Sequence, residues 1–112
     1  MFVYFIKAFG GQAMLRIKIG SSKNPEARLR DLQVGSPVKL VLIGTVRCKS
    51  NDHAKRIERF AHNIFYKQRR RGEWFHLSEK HLRQMESLIK RAAERQVGDY
   101  DNGTSGLPSS SN

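Results

Sequence analysis

The stretch that decides the fold is Leu15-Arg16-Ile17-Lys18-Ile19-Gly20-Ser21-Ser22-Lys23-Asn24-Pro25-Glu26-Ala27-Arg28. Leu15, Ile17 and Ile19 alternate with Arg16 and Lys18, the period of a half-buried strand. Asn24-Pro25 then opens a helix. Asn accepts the free first-turn amides, and Pro at the first helical position lacks an N–H that would have no partner there. Arg28 follows Gly20 by eight residues and falls one turn into that helix, expected from Pro25 to about Gln33, so a cation is aimed at the end of a strand.

Working outward, Phe2-Val3-Tyr4-Phe5-Ile6 is rich in aromatic and β-branched residues and forms the first strand of a hairpin, with Gly10-Gly11 in the turn and a loop from Ala8 to Ala13. After Gly35-Ser36-Pro37, the run Leu40 to Val46 reads as a deeply buried, central strand. From Asn51 or Asp52 to about Tyr66, the residues Ala54, Ile57, Ala61, Ile64 and Phe65 recur at helical spacing, the clearest amphipathic helix in the chain. Gly72 breaks the pattern, Glu73 to Leu77 is a short extended piece, and Ser78 caps a last helix with Leu82, Met85, Ile89 and Ala92 on one face. These elements predict an α+β fold: a small three-stranded antiparallel sheet flanked by helices, in the order ββαβα, a short extended piece, then α. One folded domain is expected over residues 1–97, and a polar, disordered tail over 98–112, where too little apolar matter offsets the entropy of ordering.

Among 112 residues, 21 Lys and Arg face 10 Asp and Glu, a net +11. Two of the acids, Asp99 and Asp101, lie in the tail beyond the last basic residue, Arg95, so the excess is concentrated in the folded part. This balance favours a polyanion, with nucleic acid as the first expectation. Binding to an anionic membrane usually requires an amphipathic helix with bulky apolar residues opposite a basic face, and no segment separates itself that way. The single Cys48 excludes an intramolecular disulfide and reads as packing in a reducing compartment. The apolar start, Met1 to Ile6, is too short for a leader, so an intracellular protein is expected. Cys48 and the four histidines show no metal-ligand spacing that would indicate a structural zinc site.

Five residues carry candidate chemistry. At about 100° per residue, Glu58 lies roughly 20° from Phe65 and 40° from Ala54 around the helix, at the edge of the buried stripe, with His62 one turn later. A carboxylate there can hold a hard divalent cation, or simply pair with Lys55 or His62. Tyr4 is an ordinary strand aromatic unless Lys18 or Arg28 lies beside it, in which case the cation should favour the phenolate. Arg28 suits a phosphate at a helix N-terminus, or is a solvated charge beside Arg30 and Asp31. The run Lys67-Gln68-Arg69-Arg70-Arg71, together with Lys23 and Arg30, could grip backbone phosphates but could not read bases. Trp74 and Phe75 could stack a base or plug the core.

Taken together, Phe2-Val3-Tyr4, Lys18-Ile19-Gly20, Arg28, Glu58 to His62 and Gly72-Glu73-Trp74-Phe75 resemble the GIY-YIG nuclease superfamily over residues 2 to about 77. They look most like a phage and bacterial subgroup with a Lys-Ile-Gly second triplet, a Glu-x-x-x-His helix and a terminal Gly-Glu-Trp-Phe. The resemblance implies a metal-dependent endonuclease acting on DNA, or on RNA, with Tyr4, Lys18, Arg28, Glu58 and His62 catalytic and Glu58 the ligand of Mg²⁺ or Mn²⁺. Members often carry a separate specificity domain, which implies a possible specificity partner. The chain departs from the superfamily pattern at Phe2 in place of glycine, at Lys18 in place of tyrosine, and near Glu73-Trp74, where the superfamily has an asparagine. Two rival readings are a noncatalytic nucleic-acid-binding module on the same scaffold and a small basic interaction or ribosome-associated protein.

Overall fold

A computed structural model describes residues 1–10 and 14–95; the expected tail and the middle of the first loop lie outside the described residues. Strands β1 (Phe2–Ala8) and β2 (Leu15–Ser22) form the expected hairpin, followed by α1 (Pro25–Val34), β3 (Leu40–Arg47) and α2 (Asn51–Ile64). A single 3-10 turn (Tyr66–Gln68) leads into β4 (Arg69–Arg71) and β5 (Trp74–Leu77), and α3 (Glu79–Glu94) closes the described chain. All three helix starts are capped by side chains: Asn24 accepts from the Ala27 amide, Ser50 from His53 and Ser78 from His81.

The α+β class is as expected, but the sheet has five antiparallel strands rather than three, in the order β3-β1-β2-β5-β4. The two extra strands come from the segment whose sequence reads as a basic loop and a short extended piece. Gly72, at φ +56°, turns the chain so that Arg69–Arg71 folds back on Trp74–Leu77, which in turn pairs with β2. Nothing lies within 4 Å of where a Cβ on Gly72 would stand, so replacing it by alanine meets only backbone strain. Gly72→Ala should therefore cost about 1 kcal/mol in denaturant unfolding, and an unchanged midpoint would contradict the turn.

β3 is a second correction. Its apolar run predicts a central strand, yet it lies at the edge of the sheet, and β1 is the strand most deeply enclosed. The run misleads because both faces of β3 are covered while one side is not: Leu40 and Leu42 pack under α1, and Ile43 and Val46 join the larger core under α2 and α3. A run that is apolar on both faces reports covered faces, not lateral position. A bulge opposite Phe5 and Ile6 places Ile43 between the partners Leu42 and Gly44.

The alternation of β1 divides the core. Val3 and Phe5 face α2 and α3 with Ile17, Ile19, Phe75 and Met85; Tyr4, Ile6 and Ala8 face α1 with Leu29 and Leu32. Ala54, Ile57, Ala61 and Phe65 of the predicted stripe are buried, but Ile64 is 44 % exposed, because the helix ends there and the chain turns away from the sheet. Cys48 is buried, and burial pushes its thiol up, as a packing role requires.

Candidate active site

Tyr4 lies on the α1 side of the sheet and Glu58 on the α2 side, so alternation alone would keep them apart. They come together at one end of β2 because Gly20 has no side chain. A Cβ at Gly20 would stand 2.5 Å from the Tyr4 hydroxyl and 2.8 Å from Glu73 Oε1, so phenol and carboxylate both press on the same bare Cα. Glu73, at the turn into β5, is anchored there by a hydrogen bond from the Ile19 amide to its carbonyl. Its carboxyl interacts with that of Glu58, raising the Glu58 pKa and lowering its own.

Around this junction the partners are specific. The Arg28 guanidinium lies beside the Tyr4 phenol, where as a donor and a positive charge it acts to lower the phenol's pKa. Ser21 Oγ donates to Glu58 Oε1 at 2.8 Å. Lys18 Nζ lies 3.3 Å from Glu73 Oε1 and stands over the Trp74 ring at 5.5 Å. His62 Nε2 is 3.2 Å from the Ile19 carbonyl and 3.9 Å from Glu58 Oε2, and its ring leans on Phe75 with centroids 5.1 Å apart. A carbonyl only accepts, so Nε2 carries the proton that makes the shorter contact.

The electrostatics follow from burial and pairing. Burial pushes the Tyr4 hydroxyl up, and the charges of Glu73 and Glu58 push the same way, against the hydrogen bond and charge of Arg28. The expected depression by a cation is thus overturned: at 1 % exposure, Tyr4 is a neutral phenol. Burial, then the hydrogen bond with Glu73, raises Glu58 to about 7, while Ser21 acts in the opposite direction. Burial would raise Glu73 too, but the bond to Glu58 and the charge of Lys18 outweigh it and hold Glu73 below its ordinary value. His62 is held down first by burial, so it is neutral.

Of the residues singled out in the sequence, Tyr4, Lys18, Arg28, Glu58 and His62 meet at this junction. Lys23 and Arg30 do not enter these contacts; they are exposed, Lys23 just before α1 and Arg30 two residues beyond Arg28, and they widen the positive surface around it. Lys67 sits in the 3-10 turn, and Arg69, Arg70 and Arg71 form the exposed β4, where Arg69 donates to the Gly72 carbonyl and Arg70 to the carbonyls of Lys67 and Arg69. Ser21 is not singled out by the sequence pattern, and Glu73 enters it only within Gly72-Glu73-Trp74-Phe75, near the place of the superfamily's asparagine, with no role of its own assigned.

Among the described residues no three His, Cys, Asp or Glu side chains converge as a ready-made metal cage. The junction instead offers carboxylates from two segments and a hydroxyl, an all-oxygen set of the kind a hard divalent cation accepts while keeping several of its waters. No helix among the described residues is long and apolar enough to cross a membrane.

Neither a curated protein nor a solved structure matches the chain. A family model does, over residues 1–92, and it takes in every element that builds the junction of Tyr4, Arg28, Glu58 and Glu73; the chain belongs to the T5orf172 domain family, a phage-associated domain related to nuclease-like folds.

Proposed function

We propose that this protein is a divalent-metal-dependent endonuclease of the GIY-YIG type that hydrolyses DNA phosphodiester bonds. The observation that carries the reading is the meeting of a phenol beside an arginine with a pair of carboxylates at Gly20. The net charge of +11 supports a polyanionic substrate, and the family supports a nucleic-acid-related role.

Glu58, with Glu73 beside it, would hold Mg²⁺ or Mn²⁺, which when bound would supply Lewis-acid stabilisation of charge on the phosphoryl oxygens and the departing oxygen. Arg28 is exposed beside Tyr4, so its guanidinium has donors available for a phosphate oxygen. Burial keeps Tyr4 a neutral phenol, so it would hold and orient the attacking water rather than deprotonate it. Lys18, balanced by Glu73 in the absence of substrate, can share its charge with a bound phosphate. His62 fixes the end of β2 through the Ile19 carbonyl and packs against Phe75, a positioning role.

A supercoiled-plasmid nicking assay in Mg²⁺, Mn²⁺ or chelator tests this. Wild type should nick only with metal, and Arg28→Ala should lose about 10²–10³-fold in rate, the usual cost of removing one preorganised donor, with an unchanged circular dichroism spectrum. Tyr4→Phe should also lose activity while still binding DNA. Retained cleavage by Arg28→Ala would reject the assignment. Steeply salt-dependent binding with no product in either metal would make the chain a noncatalytic nucleic-acid-binding module.

A further inference from the structure

The α1 face of the sheet is only half covered. α1 lies over β3 and β1, and beyond it the outer strands carry a cross-strand row of Ile6, Lys18, Trp74 and Arg71, with Arg16 beside His76 in the adjacent row. Here a cleft of about 310 Å³ opens between the start of β3 and the β4–β5 hairpin, lined by Arg16, Arg70, Arg71, Trp74 and His76 over an apolar floor that includes Leu40. Its volume is within the roughly 300–1,000 Å³ typical of small-ligand sites.

Among the described residues, three arginines and no carboxylate line it. Arg16 donates to the Phe9 carbonyl at 3.1 Å, and Arg70 to the carbonyls of Lys67 and Arg69 at 3.2 and 3.3 Å. These neutral partners hold the guanidinium groups in place without cancelling their charge, so the cleft attracts an anion. Trp74 distinguishes it from a plain phosphate site. Phe75, the other aromatic that might have stacked a base, is 0 % exposed in the core, whereas Trp74 points to the opposite face, half-buried. Lys18 lies over that ring and also bonds Glu73, so Trp74 stands directly between the Tyr4 junction and the arginines.

We propose that this cleft binds the nucleotide next to the cleaved linkage, in unpaired form, with its base stacked on Trp74 and its phosphate on Arg16, Arg70 and Arg71. The strand would then run from Arg28 and Tyr4 across Lys18 into the cleft. Only the placement of the nucleotide relative to the cleaved bond rests on the nuclease reading; the cleft itself does not. A stacked base accounts for an indole kept at the surface between cations, where phosphate contacts alone would need only the arginines.

Trp74 is the only tryptophan in the chain, so its fluorescence reports the cleft directly. In chelator, so that no cleavage occurs, the wild-type protein is titrated with a short oligothymidylate, a short oligouridylate, inorganic phosphate and a hairpin duplex without unpaired ends. Quenching by either single strand, with little change from phosphate or duplex, is the expected result; the thymidylate arm alone assigns DNA, and both arms together assign unpaired strands of either sugar. Binding of labelled oligothymidylate, followed by anisotropy, should weaken about 5- to 100-fold in Trp74→Ala, the loss of one stacked base. The variant Arg70→Ala/Arg71→Ala, which leaves the core untouched, should weaken it as well and flatten its salt dependence. Single-strand binding by anisotropy without any quenching would overturn the proposal, as would equal quenching by phosphate alone or no binding at all. Nicking without quenching would reject the cleft and leave the nuclease reading intact; quenching without nicking would do the reverse.

Discussion

At about pH 8 and without metal, Glu58→Gln is expected to melt several degrees higher than wild type while losing about 10²–10³-fold of metal-dependent nicking. The two effects share one cause. Burial and the bond to Glu73 raise the Glu58 carboxyl from 4.5 to about 7, while that same bond and Lys18 keep Glu73 ionised. Between those two values the unfolded chain has released a proton that the folded chain still holds. The unfolded state binds fewer protons there, so stability falls as pH rises through the window. Above it the folded protein must keep two charged carboxylates in contact, at a cost on the order of 1–3 kcal/mol. The amide introduced by Glu58→Gln stays neutral, can donate to Glu73 and still accepts from Ser21, so the variant's stability should be nearly flat from about pH 5 to 8. Added Mn²⁺ should raise the melting temperature of wild type and not of the variant, because a ligand stabilises only the folded form that binds it. A wild-type melting temperature that is flat over the same range, or a variant that melts lower at pH 8, would remove the shared proton from the account.

Among the described glycines, Gly20→Ala should be the most damaging substitution by a single methyl. The new Cβ would stand 2.5 Å from the Tyr4 hydroxyl, 2.7 Å from the ring carbon that bears it and 2.8 Å from Glu73 Oε1. Glu73 is a flexible chain end and can swing away. Tyr4 cannot, because it is 1 % exposed and packed among Ile6, Ala8 and Leu40. Overpacking of this kind costs about 1–3 kcal/mol, and nicking should fall to background because the phenol leaves Arg28. Tyr4→Phe in the alanine background removes the atom nearest the new methyl, so a double-mutant cycle on unfolding free energy should show a favourable coupling of at least about 0.5 kcal/mol. Strict additivity would show that Gly20 is not there to admit the phenol.

The local elements are legible because local rules make them. Alternation of Leu15, Ile17 and Ile19 specifies a strand, Asn24-Pro25 a capped helix start, and the spacing of Ala54, Ile57, Ala61 and Phe65 a helix whose buried border carries Glu58. The same period of two, applied to Glu73 through Leu77, separates Phe75 and Leu77 from Trp74 and His76, and the structure places the first pair in the core and the second on the other face. What the linear pattern does not carry is which strands lie side by side. That depends on contacts between segments far apart in the chain, whose order follows from packing the whole set of faces at once. So β3 goes to the edge although it reads as central, β4 and β5 extend the sheet beyond β2, and Glu73 comes to share a proton with Glu58. Sequence by itself determined the elements, the faces of each and the excess of positive charge. Only tertiary structure decided that a phenol on one face and a carboxylate on the other would meet, because that meeting needs a residue without a side chain between them and a neighbouring strand to bring in the second acid.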